Sequence, residues 1–418
     1  MDLAAAVAVA GTTACLPVHP DAERLLRQVT GKGAVPPGKA LSLAWRPPGV
    51  EVRPVEALHL LSLVTAHAYS AGDLHDAYAW WGLLRYLGFF DHEPGKPDPV
   101  LRVSRAGAQV AGVQRRVASE ELGIAFGVLL ASMHVRKALG PGVPVGIVDI
   151  DVLLRGSGAG SSGRADYVLV AGPGEDEPDG RVYFLECKGT SDPRDCGRQL
   201  AKAVGQVAGR VLGYAARAGL AASTVAGVSQ VSCLVLELAD GDAGPSGRRP
   251  RSGLRDDLTH GTLPGLAEDL VRDALRASWS VLGRYGGNEA AARRWPDEDR
   301  KTYTASSRGR PGRRVEVDSQ YGPAIGISAP FDLGDRQLVV TWAIGQQVDD
   351  ALTSGDFRDV RTAQEAFAAE LDGTGTRESQ GGELDASAET PEPEGRVTAG
   401  EPVESAMPDG SIFSLTVR

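Results

Sequence analysis

The sequence predicts an α/β fold in which a mixed central sheet is flanked by helices. Three observations carry this. Two β-rich runs, Arg164 to Val170 and Val182 to Thr190, stand around an acidic Gly/Pro-rich turn and read as a hairpin. A helical stretch precedes them (Ala118 to Leu139) and another follows (Asp195 to Leu220). Further apolar runs at Val145 to Leu154 and Val231 to Leu238 have the length of strands. Helices interleaved with strands in this way build a sheet covered by helices.

The hairpin is the most informative stretch. Tyr183-Phe184-Leu185 is continuously apolar, the mark of a strand buried on both faces. Side chains alternate along a strand, so Glu186 and Lys188 share one face while Cys187 points to the other, into the core. Asp166 opens the neighbouring strand and reaches the same face when the register allows. Charged groups at the end of a buried strand need a reason. Lysine is also scarce here, seven against thirty-seven arginines. Two carboxylates and an ammonium at one point suit a hard divalent cation such as Mg²⁺ or Mn²⁺. A solvated hairpin with a Glu and a Lys two apart is the plainer alternative.

With those residues in place, the pattern resembles the PD-(D/E)XK nuclease superfamily, with its restriction-endonuclease-like fold. The likeness covers about residues 115–240, and Ala165 stands where that motif commonly has proline. It implies a core ordered helix, three strands, helix, strand. It also implies a metal held by Asp166, Glu186 and the Cys187 carbonyl, with Lys188 assisting the attacking water. An acid on the first helix completes the site: Glu121, on the apolar side with Ala125, Val128 and Leu129, is preferred to Glu120. Ser119 suits the N-cap of that helix. Asp149 and Asp151 fall on one face of the first strand, and either joins the acidic site or faces solvent.

The second helix carries Gln199, Lys202, Gln206 and Arg210 as one polar stripe, placed by the resemblance against the phosphate backbone. A solvent-facing stripe fits equally well. The Gly/Ser-rich stretch Arg155 to Gly163 lacks the Lys-Ser/Thr of a P-loop and reads as a flexible loop near the substrate.

Residues 1–115 are expected to form a separate helical module. Pro54 suits the start of a helix over Val55 to Ala71, and the aromatics between Leu74 and Phe90 make a small core. His59, His67 and His75 are read as structural rather than metal ligands. Residues 241–371 form a basic α+β module. Its arginines Arg308, Arg310, Arg313 and Arg314 are the expected contacts to nucleic acid. Residues 372–418 make an acidic, mostly disordered tail, although Ser411 to Val417 regains a strand-like pattern.

The net charge of −10 argues against a polyanionic partner less than it first suggests. From Leu371 onward ten acids face three arginines, −7, which leaves −3 for the rest of the chain. The 42% apolar content supports a sizeable core, and no apolar run is long enough to span a membrane. Four cysteines without CxxC spacing read as reduced thiols of a cytoplasmic protein.

The expected activity is therefore Mg²⁺-dependent hydrolysis of DNA by an endonuclease of restriction or anti-phage defence, with possible partner subunits of a defence system. The alternatives are a non-catalytic nuclease-fold interaction subunit or an RNA-cleaving enzyme.

Overall fold

In the computed structural model the chain is described at residues 2–33, 35–65, 85–92, 99–154, 165–171, 181–208, 210–211, 214–215, 218–227, 229–240, 265–295, 314–380 and 400–418. It opens with α1 (Leu3–Gly11), β1 (Ala14–Pro17), α2 (Ala22–Gly31), β2 (Lys39–Leu43), β3 (Gly49–Val52) and α3 (Pro54–Thr65). Then come β4 (Phe90–His92), β5 (Leu101–Val103), the long helix α4 (Gly112–Leu139), β6 (Val145–Asp149), β7 (Tyr167–Ala171) and β8 (Arg181–Thr190). The middle of the chain is completed by α5 (Cys196–Val207), β9 (Ala218–Ala226) and β10 (Val231–Asp240). The last third contributes α6 (Gly265–Tyr285), α7 (Glu289–Arg294), β11 (Arg314–Ser319), β12 (Gly322–Leu333), β13 (Arg336–Gly345), α8 (Gln346–Ser354), α9 (Phe357–Gln380), β14 (Val403–Ala406) and β15 (Ser411–Val417).

Six strands form a mixed sheet in the order β2-β10-β9-β8-β7-β6. Strands β6, β7 and β8 are an antiparallel meander; β8 and β9 are parallel, joined through α5; β10 and β2 are again antiparallel. Apart from a short helix at Ile150–Leu154, a turn at Pro193–Asp195 and a small hairpin of Arg210–Val211 with Tyr214–Ala215, the segment from α4 to β9 runs helix, three strands, helix, strand. Alternation along β7 and β8 sends Leu169, Leu185 and Cys187 toward one core with Leu122 and Phe126 of α4. Val168, Val170 and Phe184 point to the other, with Leu200 and Val204 of α5. Five strands, β11-β12-β13-β15-β14, make a second, antiparallel sheet.

Several sequence expectations are corrected. Residues 1–115 are not a separate helical module, because β2 adds an edge strand to the main sheet by pairing with β10. Leucines 58, 60, 61 and 63 of α3 share one continuous core with α4. Helix α4 begins at Gly112, not at Ser119, whose buried hydroxyl donates to the Arg115 carbonyl at 2.8 Å inside the helix. The first strand stops at Asp149, where residues 150–154 turn into a short helix.

The second helix ends at Val207 rather than Leu220. The Ala-rich run Ala218–Ala226 is instead a strand in the interior of the sheet, and Leu220, Ala221 and Ala222 are fully buried. Alanine favours helices locally, but pairing on both sides in a buried sheet overrides that preference. The chain end is not all tail: β14 and β15 are buried members of the second sheet, and Ser411–Val417 forms the strand its pattern suggested. Residues 381–399 and 66–84, with His67, His75 and most of the aromatic stretch Leu74 to Phe90, lie outside the described residues. Tyr86, Phe89 and Phe90, which close it, are core: they stack edge-on at 5.6 and 5.8 Å, and Phe90 meets Phe126 at 5.8 Å.

All four cysteines are free thiols. Among the described residues one helix, α4, is long and apolar enough to cross a bilayer, and most of its apolar stretch is buried within the protein.

His59 ties the two halves together. On α3 it is fully buried, its Nδ1 lies 3.1 Å from Ser405 Oγ of β14, and its ring stacks on Tyr285 at 5.6 Å. Burial pushes its imidazole down to about 3. The unfolded chain, with an ordinary histidine near 6.5, binds the proton more readily, so this contribution to stability is present above about pH 6.5. It is lost as pH falls toward 3, by up to about 1.4 kcal/mol per pH unit. Urea unfolding between pH 4 and 7 is expected to show this slope in the wild type and a shallower one in His59→Gln; equal slopes would contradict it.

Candidate functional site

The site lies where β6 ends and β7 begins, beside the second half of β8. The register that pairs Tyr167 with Leu185 sets Asp166 opposite Glu186, and two backbone bonds hold it there: Asp166 N–H donates to the Leu185 carbonyl, and Ile150 N–H to the Asp166 carbonyl, both at 3.0 Å. Asp166 Oδ2 also accepts from the Cys187 N–H at 3.1 Å.

Glu186 is completely buried, and Lys188 Nζ donates to its Oε1. Its second oxygen, Oε2, is buried with no hydrogen-bond partner. Burial raises the Glu186 carboxyl well above the usual carboxylate range, and the charge of Asp166 raises it further, against the pull of Lys188. Asp166 is raised as well, chiefly by burial, while Lys188 and the Cys187 N–H hold it down. An anion at Glu186 is thus costly in the free protein, where its carboxyl and that of Asp166 lie against each other.

A cleft of about 460 Å³ opens at this point. Asp166, Cys187, Lys188 and Gly189 line it from the strands; Asp149 and Asp151 from the end of β6 and the turn after it; Glu120 and Ile124 from α4; and Gln199, Lys202 and Gln206 from α5. Of the expected site residues, Asp166, Cys187, Lys188, Gln199 and Lys202 line the cleft, and Glu186 lies buried behind them, opposite Asp166 and against Lys188. Cys187 turns its backbone N–H to Asp166, while its Sγ points away, against Gly127 of α4.

The expectation for Glu121 is corrected. Glu121 accepts hydrogen bonds from Arg85 and the Tyr86 hydroxyl and does not line the cleft, whereas Glu120 does. The apolar side of α4 that carries Glu121 packs into the core, so an acid there is held by core partners, and the cleft meets the neighbouring flank of the helix. Arg314 is corrected too. It is paired with the buried Asp349 and donates from Nε to the Gly286 carbonyl at 3.2 Å, in the second sheet and outside the cleft lining. Arg308, Arg310 and Arg313 lie outside the described residues. Asp149 and Asp151 share the cleft, though not as neighbours on one strand: Asp151 N–H donates to Asp149 Oδ1 at 2.7 Å across the start of the helical turn.

Sequence reasoning missed the glycines that let α4 lie on β8. A Cβ on Gly189 would stand 1.6 Å from the Ser119 carbonyl oxygen, and one on Gly123 would stand 2.5 Å from Gly189 N. The signal was present as Gly123-Ile-Ala-Phe-Gly127, two small residues one helical turn apart.

Among the described residues no group of three or more His, Cys, Asp or Glu side chains forms a ready metal cage. The two carboxylates Asp166 and Glu186 face each other, with the Cys187 backbone beside Asp166. Carboxylate oxygens are hard donors, and Mg²⁺ keeps several waters and needs few protein ligands. The unpartnered Glu186 Oε2 fits such a cation.

No family model, curated protein or solved structure matches this chain at a significant level.

Proposed function

We propose that the protein is a metal-dependent nuclease that hydrolyses phosphodiester bonds in DNA, built on a restriction-endonuclease-like core. The observation that carries this reading is the buried Glu186, whose Oε2 has no hydrogen-bond partner, set opposite Asp166 and paired to Lys188, the last two of which line a cleft. The succession helix, three strands, helix, strand from α4 to β9 supports it, with the parallel β8–β9 pair and the acid-acid-lysine set on the inner strands.

In this reading Asp166, Glu186 and the Cys187 carbonyl would hold Mg²⁺ or Mn²⁺. Bound there, such a cation polarises a phosphoryl oxygen and lowers the pKa of water. Lys188 orients the attacking water and offsets negative charge as it builds on the phosphate. Glu120, which lines the cleft, would take the role first expected of Glu121. Gln199 and Lys202 bind phosphate oxygens and hold the strand against the site.

Restriction or anti-phage defence, with partner subunits, remains the proposed biological setting. The test is incubation of the purified protein with supercoiled plasmid DNA in Mg²⁺, Mn²⁺ or EDTA. Nicking or linearisation with either metal and none in EDTA is expected; absence of cleavage in both metals would overturn the reading.

A further inference from the structure

Asp166 and Tyr167 are consecutive, so alternation sends them to opposite faces of the sheet. Asp166 belongs to the face covered by α5, with Val168 and Phe184. Tyr167 belongs to the face covered by α4, where it joins Leu122, Phe126 and Leu185 in the core. The cleft reaches both faces, because Tyr167 lines it together with Glu120 and Ile124 of α4. Tyr167 is only 5% exposed, yet its hydroxyl has no hydrogen-bond partner among the described residues. A buried tyrosine hydroxyl ordinarily finds a partner, so this one is open to a ligand. Asp149 stands directly across the β6–β7 ladder from Tyr167, which puts both side chains on the same face. Its Oδ1 is held by the Asp151 N–H at 2.7 Å. This side of the cleft has no cation among the described residues: its charged members, Glu120, Asp149 and Asp151, are all acids. Phosphates are repelled from it, and a group with N–H donors is drawn in. Ile124 adds an apolar wall against which a flat ring can lie.

We propose that Tyr167 and Asp149 form a base-reading subsite that takes an unpaired guanine next to the scissile phosphate. Of the DNA bases only guanine offers two adjacent N–H groups and a carbonyl on its pairing edge. The Asp149 carboxylate accepts from the ring N–H and the exocyclic amine, and the Tyr167 hydroxyl donates to the guanine carbonyl. Thymine presents one N–H between two carbonyls, whose oxygens would face the carboxylate. Cytosine and adenine each present a ring-nitrogen acceptor there. The edge being read is the one used in pairing, so the guanine stands in a single strand or is splayed from a duplex. This rests on the hydrolytic reading above and gives that site a sequence preference, cleavage beside guanine.

The test uses the whole protein, with Ca²⁺ present, and fluorescently labelled oligothymidine strands in anisotropy titrations. One strand is all thymine, a second carries a single central guanine, and a third carries inosine there, which lacks the exocyclic amine. A lone guanine selects its own register, so the position of the strand in the cleft need not be known. The wild type is expected to bind the guanine strand at least about tenfold more tightly than the all-thymine strand, with inosine between them. Tyr167→Phe keeps the ring in the core and removes the donor to the guanine carbonyl. It should cut the guanine preference at least about threefold and leave all-thymine binding unchanged. Asp149→Asn, which keeps an acceptor for the Asp151 N–H, should bind the guanine and inosine strands equally.

Equal binding of the guanine and all-thymine strands by the wild type, or binding of neither, would overturn the proposal. So would a guanine preference that both variants retain. Loss of Ca²⁺ affinity in Asp149→Asn, with no guanine preference in the wild type, would overturn it by assigning the acids to a cation. Plasmid cleavage without a guanine preference removes the subsite and keeps the nuclease. A guanine preference that falls in both variants, without cleavage in any metal, does the reverse.

Discussion

Gly189→Ala is expected to destabilise the protein by about 3 kcal/mol or more and to abolish activity together with stability. The added Cβ would stand 1.6 Å from the backbone oxygen of Ser119. Backbone on both sides of the contact cannot step aside as a flexible side chain would, so α4 must lift off β8. Lys188 and Glu120 sit on the two elements that separate, so the site opens along the same seam. Gly127→Ala is a graded control: its Cβ would meet Cys187 Sγ at 2.7 Å and Ala222 Cβ at 3.0 Å, side-chain atoms that can shift. It should cost less, about 1–3 kcal/mol. Urea unfolding midpoints of the two variants check the order, and equal or reversed effects would contradict this account of the seam.

A second large effect is expected at Glu186, with opposite signs for function and stability. A carboxylate that is fully buried, faces another carboxyl and leaves one oxygen unpartnered is an unfavourable choice for folding alone. Glu186→Gln keeps the shape and removes the charge. Without metal, the variant is expected to be more stable than the wild type by about 1 kcal/mol. In Mg²⁺ calorimetry it should lose more than about tenfold in affinity, because a neutral amide replaces an anionic ligand. Binding as tight as in the wild type would remove Glu186 from the metal site. A loss of stability would show that its charge serves the fold instead.

Much of this centre was legible before the fold. Alternation along Tyr183 to Lys188 placed Glu186 and Lys188 on one face, and the continuous apolar run identified a buried strand, which β8 is. The spacing of Gln199, Lys202 and Gln206 at three and four gave one helix face, and all three line the cleft. What escaped depends on contacts remote in sequence. The pairing of Lys39–Leu43 with β10 joins segments nearly two hundred residues apart, and nothing in a five-residue run names its partner. Choosing between Glu120 and Glu121 required the direction in which α4 packs, fixed by Gly123 against Gly189 and by Arg85 and Tyr86 holding Glu121. Arg314 looked like one more member of a basic loop until the fold paired it with Asp349. Ala218–Ala226 has the composition of a helix and the position of a central strand; only its neighbours decide.

The central claim is that Asp166, Glu186 and Lys188 form a hydrolytic centre. Its most direct test is plasmid cleavage in Mg²⁺ by wild type and Lys188→Ala in parallel, each shown to be folded by circular dichroism. The account predicts metal-dependent cleavage by the wild type and at least about a thousandfold slower cleavage by the folded variant. Cleavage by folded Lys188→Ala at a rate near that of the wild type would contradict it.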